Sequence, residues 1–81
     1  MNEQPKSYIN RKGDKIWYLP SKGKGHYHRL DGPAIEHKNG SKWWYVDGKH
    51  ISPEEVEAWL EENDVDLKTE EGQMAFKLRW L

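Results

Sequence analysis

The sequence predicts an α+β fold, an antiparallel β-meander of about four strands followed by two C-terminal α-helices, and three observations carry that prediction. Short runs of alternating apolar and polar residues fill residues 7–50, separated by glycine-bearing turns. The block Gly13-Asp14-Lys15-Ile16-Trp17-Tyr18 returns as Gly40-Ser41-Lys42-Trp43-Trp44-Tyr45, and the same shift (13 to 40) carries Tyr8 onto Ile35. From Ile51 onward the apolar spacing becomes that of helices. A single domain over 1–81 follows, with 7–50 as its β-repeat part and 51–81 as its helical part.

The first hairpin runs from Tyr8 through a turn at Arg11-Lys12-Gly13-Asp14 into Lys15-Ile16-Trp17-Tyr18-Leu19, which Pro20 stops. The lead-in before it lacks periodicity and is expected to be loose. The glycines of the basic loop Ser21-Lys22-Gly23-Lys24-Gly25 do not have the spacing of a phosphate-binding loop. In His26-Tyr27-His28-Arg29-Leu30-Asp31-Gly32-Pro33-Ala34, an extended backbone would put His26, His28 and Leu30 on one side and Tyr27, Arg29 and Asp31 on the other. Asp31-Gly32-Pro33 reads as a rigid corner in which Gly32 takes a positive φ.

The second copy has its turn at Lys38-Asn39-Gly40-Ser41, where Asn-Gly supplies the two positive-φ positions of a type I′ hairpin. Its strand Lys42–Val46 ends at Asp47-Gly48. Trp17 and Trp44 are assigned to the covered face with Leu19 and Val46 as outer neighbours, which leaves Tyr18, Trp43 and Tyr45 nearer the other face.

Ile51-Ser52-Pro53-Glu54-Glu55-Val56 marks a helix start: Ser52 as N-cap, Pro53 at the first helical position, Glu55 completing a capping box, and Ile51 stapling to Val56. Val56, Trp59 and Leu60 form the apolar stripe, and Asn63-Asp64 ends the helix. Thr69 caps a second helix over 70–81, whose first turn Gly72 weakens. Its apolar residues, Met74, Ala75, Phe76, Leu78, Trp80 and Leu81, surround it, which predicts contacts with the sheet, with the first helix and with a second protomer.

Composition narrows the function. Eighty-one residues bury only about 60% of the unfolded surface, so five Trp, four Tyr and one Phe must supply much of the core. No cysteine is present, which removes disulfides, thiolate metal sites and thiol nucleophiles. No apolar stretch approaches the roughly 20 residues of a membrane span, and the first residues lack signal-peptide character, so a soluble cytoplasmic protein is expected. Residues 1–50 hold ten Lys/Arg and five Asp/Glu; residues 51–81 hold three and nine. A net charge of −1 therefore conceals a basic half and an acidic one, complementary within the fold or between protomers.

From His28-Arg29-Leu30-Asp31-Gly32-Pro33-Ala34-Ile35 through Gly40-Ser41-Lys42-Trp43-Trp44-Tyr45-Val46-Asp47-Gly48-Lys49-His50, the chain resembles small bacteriophage proteins. These carry one or more H-R-x-D-G-P-A … G-x-x-x-W-Y-x-x-G-x-x-H units and are distantly similar to MORN-type β-hairpin repeats. The resemblance covers roughly 13–52. It implies a phage origin and a short protein that acts in the infected host cytoplasm by binding and disabling a host factor, such as a defence, transcription or replication protein.

No catalytic set is legible, so no enzyme is expected: the serines sit in turns and caps, and the carboxylates are spaced for helix solvation. His26-x-His28, with His37 and His50, has a metal-like element, but no acidic residue except Asp31 adjoins the pair in sequence; His28 and His50 are read instead as bracing corners of the repeats. The candidate binding residues are His26, His28, Arg29, Lys42, Trp43, Tyr45, Lys49 and His50, an exposed aromatic row with lysines, Lys15 included, along its flank. Such a row suits a protein hot spot, the first reading. It also suits a nucleic-acid accessory protein that stacks bases, or a sponge for a nucleotide messenger in which Trp43 or Tyr45 holds the base and Arg29 or Lys42 the phosphate. No cofactor is implied by any of these.

Overall fold

A computed structural model describes residues 3–80. Five strands, β1 (Lys6–Ile9), β2 (Lys15–Tyr18), β3 (Ile35–Glu36), β4 (Lys42–Val46) and β5 (Lys49–Ile51), form one antiparallel sheet in the order β1-β2-β3-β4-β5. The internal repeat is visible in the pairing itself. Tyr8 faces Ile16 and Ile9 faces Lys15; one repeat later Ile35 faces Trp43 and Glu36 faces Lys42. The turns match as well. The N–H of Asn10 donates to the Asp14 carbonyl and that of Gly13 to Asn10, as His37 donates to Ser41 and Gly40 to His37.

Both loops close on a glycine at positive φ, Gly13 at 90° and Gly40 at 95°, as expected of three-residue hairpin loops. Asn39-Gly40 is therefore not the two-residue type I′ turn its dipeptide predicts. Consecutive positive φ values occur instead at Asp47 (52°) and Gly48 (83°), which join β4 to β5. That turn creates the fifth strand, one more than the sequence suggests.

Strand β3 is only two residues long, so the ladder between β2 and β4 would open beyond it. Residues 26–29 fill the gap, but not as a strand: Tyr27 makes a single isolated bridge to Tyr18. Toward β2, the His28 N–H donates to the Trp17 carbonyl and the Leu19 N–H to that of His26. Toward β4, Arg29 donates to Tyr45 and Gly48 to Tyr27. Gly32 is buried without the expected positive φ. The lead-in is also better held than its composition suggests, because the Glu3 carboxylate accepts from both the N–H and the hydroxyl of Ser21, each at 2.7 Å.

Helices α1 (Pro53–Asn63) and α2 (Glu70–Trp80) cover one face of the sheet. Ser52 occupies the N-cap with extended backbone, and its carbonyl accepts from Val56. Its side chain makes no cap bond; the hydroxyl donates to Glu54 instead, so the box with Glu55 does not form. Asp64 ends α1 in the left-handed region. At α2, Thr69 Oγ1 accepts the Gly72 N–H at 3.0 Å. A Cβ on Gly72 would run into the Asp66 carbonyl, so this glycine permits a close approach rather than merely weakening the helix. Leu81 lies outside the described residues.

The core between helices and sheet is Trp44, Val46, Ile51, Val56, Leu67, Phe76 and Trp80. Its rings meet edge to face, Trp44–Phe76 at 5.6 Å and Phe76–Trp80 at 5.2 Å, a favoured aromatic geometry. Val46 and Leu19 are buried, not outer neighbours; alternation along β4 puts Val46 on the same side as Trp44. Among the described residues no helix is long and apolar enough to cross a membrane.

Candidate protein-interaction face

Strand alternation assigns each side chain to a face, and the pairing register carries the assignment across the sheet. Trp44, paired with Ile51, turns into the helix-covered core. Trp43, paired with Ile35, and Tyr45, paired with His50, must then turn away from it. There they form a continuous row of rings. His37 meets Trp43 at 5.1 Å, Trp43 meets His50 at 5.5 Å, His50 meets Tyr45 at 5.1 Å, and Tyr45 meets Tyr27 at 5.0 Å. Beneath the row, Ile16 and Ile35 are buried although α1 and α2 pack on the other side, against Trp44, Val46 and Ile51. Trp43 remains 44% exposed, the only Trp among the described residues with a large open surface.

The row borders a shallow recess of about 480 Å³ that extends to the β1–β2 turn, with Arg11 and Lys12 on its rim. Asp14 lines it too, but its carboxylate is consumed internally: Oδ1 accepts the Lys38 N–H at 2.9 Å, and Oδ2 lies 3.3 Å from His37 Nδ1. The Lys38 bond, with smaller help from Asn10 and His37, holds this carboxyl below its usual range. Burial pushes the Tyr45 phenol up, with a further push from Tyr27. The accessible charge at the recess is thus cationic, from Arg11 and Lys12.

The other candidate residues do not join this face. Lys15 and Lys42 pair in register with Glu36, on the side of Trp17 and Trp44, and Lys49 pairs with Val46 on that same side. The expected flank of lysines therefore belongs to the opposite surface. Arg29 is occupied there: its guanidinium stacks on the Trp17 ring at 3.7 Å, donates to Asp31 at 2.7 Å and to the Pro33 carbonyl at 3.0 Å, and lies 3.5 Å from Glu36. An arginine so committed braces the turn and has little left for a phosphate.

His26 and His28 do converge, on Asp47. Its Oδ1 lies 2.8 Å from His26 Nε2 and 3.1 Å from Lys22 Nζ, and its N–H donates to His28 Nδ1 at 2.8 Å. These contacts lock the β4–β5 turn against residues 26–29, so His28 braces a corner as expected. His50 does not; it packs on Trp43 and Tyr45. No group of three or more His, Asp or Glu among the described residues is placed to hold a metal ion.

Sequence reasoning left two members of the row unassigned. Tyr27 reaches it through the bridge to Tyr18, a long-range pairing that no local pattern announces. His37 stands where the first repeat has Asn10, at the start of the turn, and that equivalence could have been read from the repeat. No protein-family model, curated protein or solved structure matches the chain.

Proposed function

We propose that this chain is a small binding protein that engages a protein partner through the ring-bearing face of its sheet, with Trp43 at the centre of the contact. The observation that carries the reading is the exposed Trp43 held between His37 and His50 over a buried Ile16–Ile35 floor. A large, rigid, partly desolvated aromatic on a packed support is what dominates protein–protein contacts. The rings also favour a protein over a nucleic acid. They stand at 50° to 76° to one another, so much of each ring face is spent on its neighbour rather than left open for base stacking. The resemblance of the Asp31-Gly32-Pro33 and Trp44-Tyr45 segments to phage repeat units supplies the setting: a bacterial host cytoplasm, and inhibition of a host factor by occupying its surface.

Capture from bacterial lysate with the tagged full chain and with Trp43→Ala tests this. The wild-type chain is expected to retain a host protein in stoichiometric amount that Trp43→Ala loses, with the thermal midpoint little changed because the side chain is half exposed. Truncating a central Trp of this kind costs roughly 2–4 kcal/mol of binding. Recovery of no host protein, or of the same protein by both chains, overturns the reading. Retention of single-stranded nucleic acid, weakening steeply with salt, would replace it with the stacking alternative.

A further inference from the structure

Helix α2 is only partly covered. Phe76 and Trp80 turn into the core, while Met74 and Leu78 stand 53% and 66% exposed. Four residues apart, they form one stripe along the helix. Beside that stripe runs a cleft of about 680 Å³, walled by Trp17, Leu19 and Leu30 on one side and by Gln73, Met74 and Lys77 of α2 on the other. The charges of α2 are segregated along its length, Glu70 and Glu71 in the first turn and Lys77 and Arg79 in the last. Complementing the helix dipole accounts for that order, but not for two large apolar side chains left in water, Met74 between the charged ends and Leu78 between the two cations.

We infer that the occupant of this surface is a second copy of the chain, docked through α2 about a twofold axis. A twofold contact uses the same patch on both partners. A helix that meets its own copy about an axis perpendicular to it must run antiparallel. That geometry brings Glu70 and Glu71 to Lys77 and Arg79 of the second copy about an axis near Met74, so Met74 meets its own copy beside the two clefts and Leu78 packs over the first turn of the facing helix. A parallel pairing would set like charge against like. The ring-bearing face lies on the opposite side of the sheet and stays free, so the dimer presents two of them, and the inference stands whether or not that face binds a protein.

Light scattering on the full chain from micromolar to millimolar concentration tests it. A mass twice that of the monomer is expected at the upper end, with Leu78→Asp monomeric over the whole range and circular dichroism confirming that its fold is kept. The paired charge variants make the orientation testable. Glu70→Lys with Glu71→Lys, and Lys77→Glu with Arg79→Glu, should each be monomeric alone and dimeric when mixed. A monomer mass for the wild type throughout, a dimer that survives Leu78→Asp, or charge variants that dimerise alone as well as the wild type would each overturn the inference.

Discussion

Gly32 lies directly against the guanidinium of Arg29: a Cβ built on the glycine would stand 2.9 Å from Arg29 Cζ and 3.2 Å from Nε. The glycine is needed for this approach and not for a left-handed backbone, since its φ is not positive. The end of an arginine side chain can usually swing aside, but this one is held by Trp17, Asp31, Pro33 and Glu36. Gly32→Ala must break part of that set. A loss of about 1–2 kcal/mol is expected, within the range for disturbing a cation–π contact together with hydrogen bonds. Urea denaturation measures it, and an unchanged midpoint would show that Arg29 moves without cost.

Gly72→Ala sets two effects against each other. Helix propensity alone favours alanine over glycine by about 1 kcal/mol. The new methyl, however, would meet the Asp66 backbone carbonyl, which cannot rotate out of the way as a side-chain end can. Overpacking of this kind costs about 1–3 kcal/mol or more, and Thr69 Oγ1, 3.0 Å from the new carbon, would be pushed as well. The clash wins. A lowered thermal midpoint is expected, and a raised one would mean that the 64–69 connection yields easily.

How far the sequence was legible can be judged from these same places. The repeat predicted the two hairpins but not their register: a two-residue turn at Asn39-Gly40 would pair Lys38 with Ser41, whereas the three-residue loop pairs Glu36 with Lys42, as its counterpart pairs Ile9 with Lys15. The ring-bearing face was legible too, since alternation alone sets Trp43 and Tyr45 opposite Trp44. By the same rule Lys15 shares a side with Trp17, and Lys42 with Trp44, so alternation places these lysines behind the row of rings rather than along it. Strand β5 was hidden for a different reason: Lys49-His50-Ile51 is too short to alternate visibly, and Ile51 also serves the helix start. What no local pattern could show were the long-range contacts, the seating of residues 26–29 between β2 and β4 and the closure of Asp66 on Gly72.

The two helix starts differ in a way that mutagenesis can separate. Ser52 has the N-cap position and the sequence context of a strong cap, yet its hydroxyl bonds to Glu54 rather than to a backbone N–H. Thr69 Oγ1 does accept a backbone N–H, that of Gly72, and donates to the Asp66 carbonyl at 2.8 Å. Thr69→Ala is therefore expected to cost about 1 kcal/mol, the usual worth of a cap. Ser52→Ala should cost under about 0.5 kcal/mol, as exposed substitutions do. Equal losses in a thermal denaturation series would show that Ser52 caps α1 in solution.

Acid should loosen the β4–β5 turn before it titrates most carboxylates, and His28 is the reason. The residue is 6% exposed, and burial, with a smaller push from nearby Lys77, lowers its pKa below the ordinary histidine value despite the opposing pull of Asp47. Its Nδ1 accepts the Asp47 N–H, so a proton on that nitrogen removes the acceptor as well as placing a charge indoors. The folded state thus binds this proton less readily than the unfolded chain does. The stability tied to neutral His28 is fully present above about pH 6.5, the unfolded histidine value, and is lost as pH falls below it toward the depressed folded value. Asp47, held low chiefly by its bond to His26 and then by Lys22, adds a second loss only in the lower carboxylate range. Thermal midpoints measured between pH 7.5 and pH 5, values chosen to bracket about 6.5, should decline in the wild type. The slope should be shallower in His28→Asn, whose amide oxygen can accept the same N–H but does not titrate. Parallel slopes for the two chains would assign the acid sensitivity to another group.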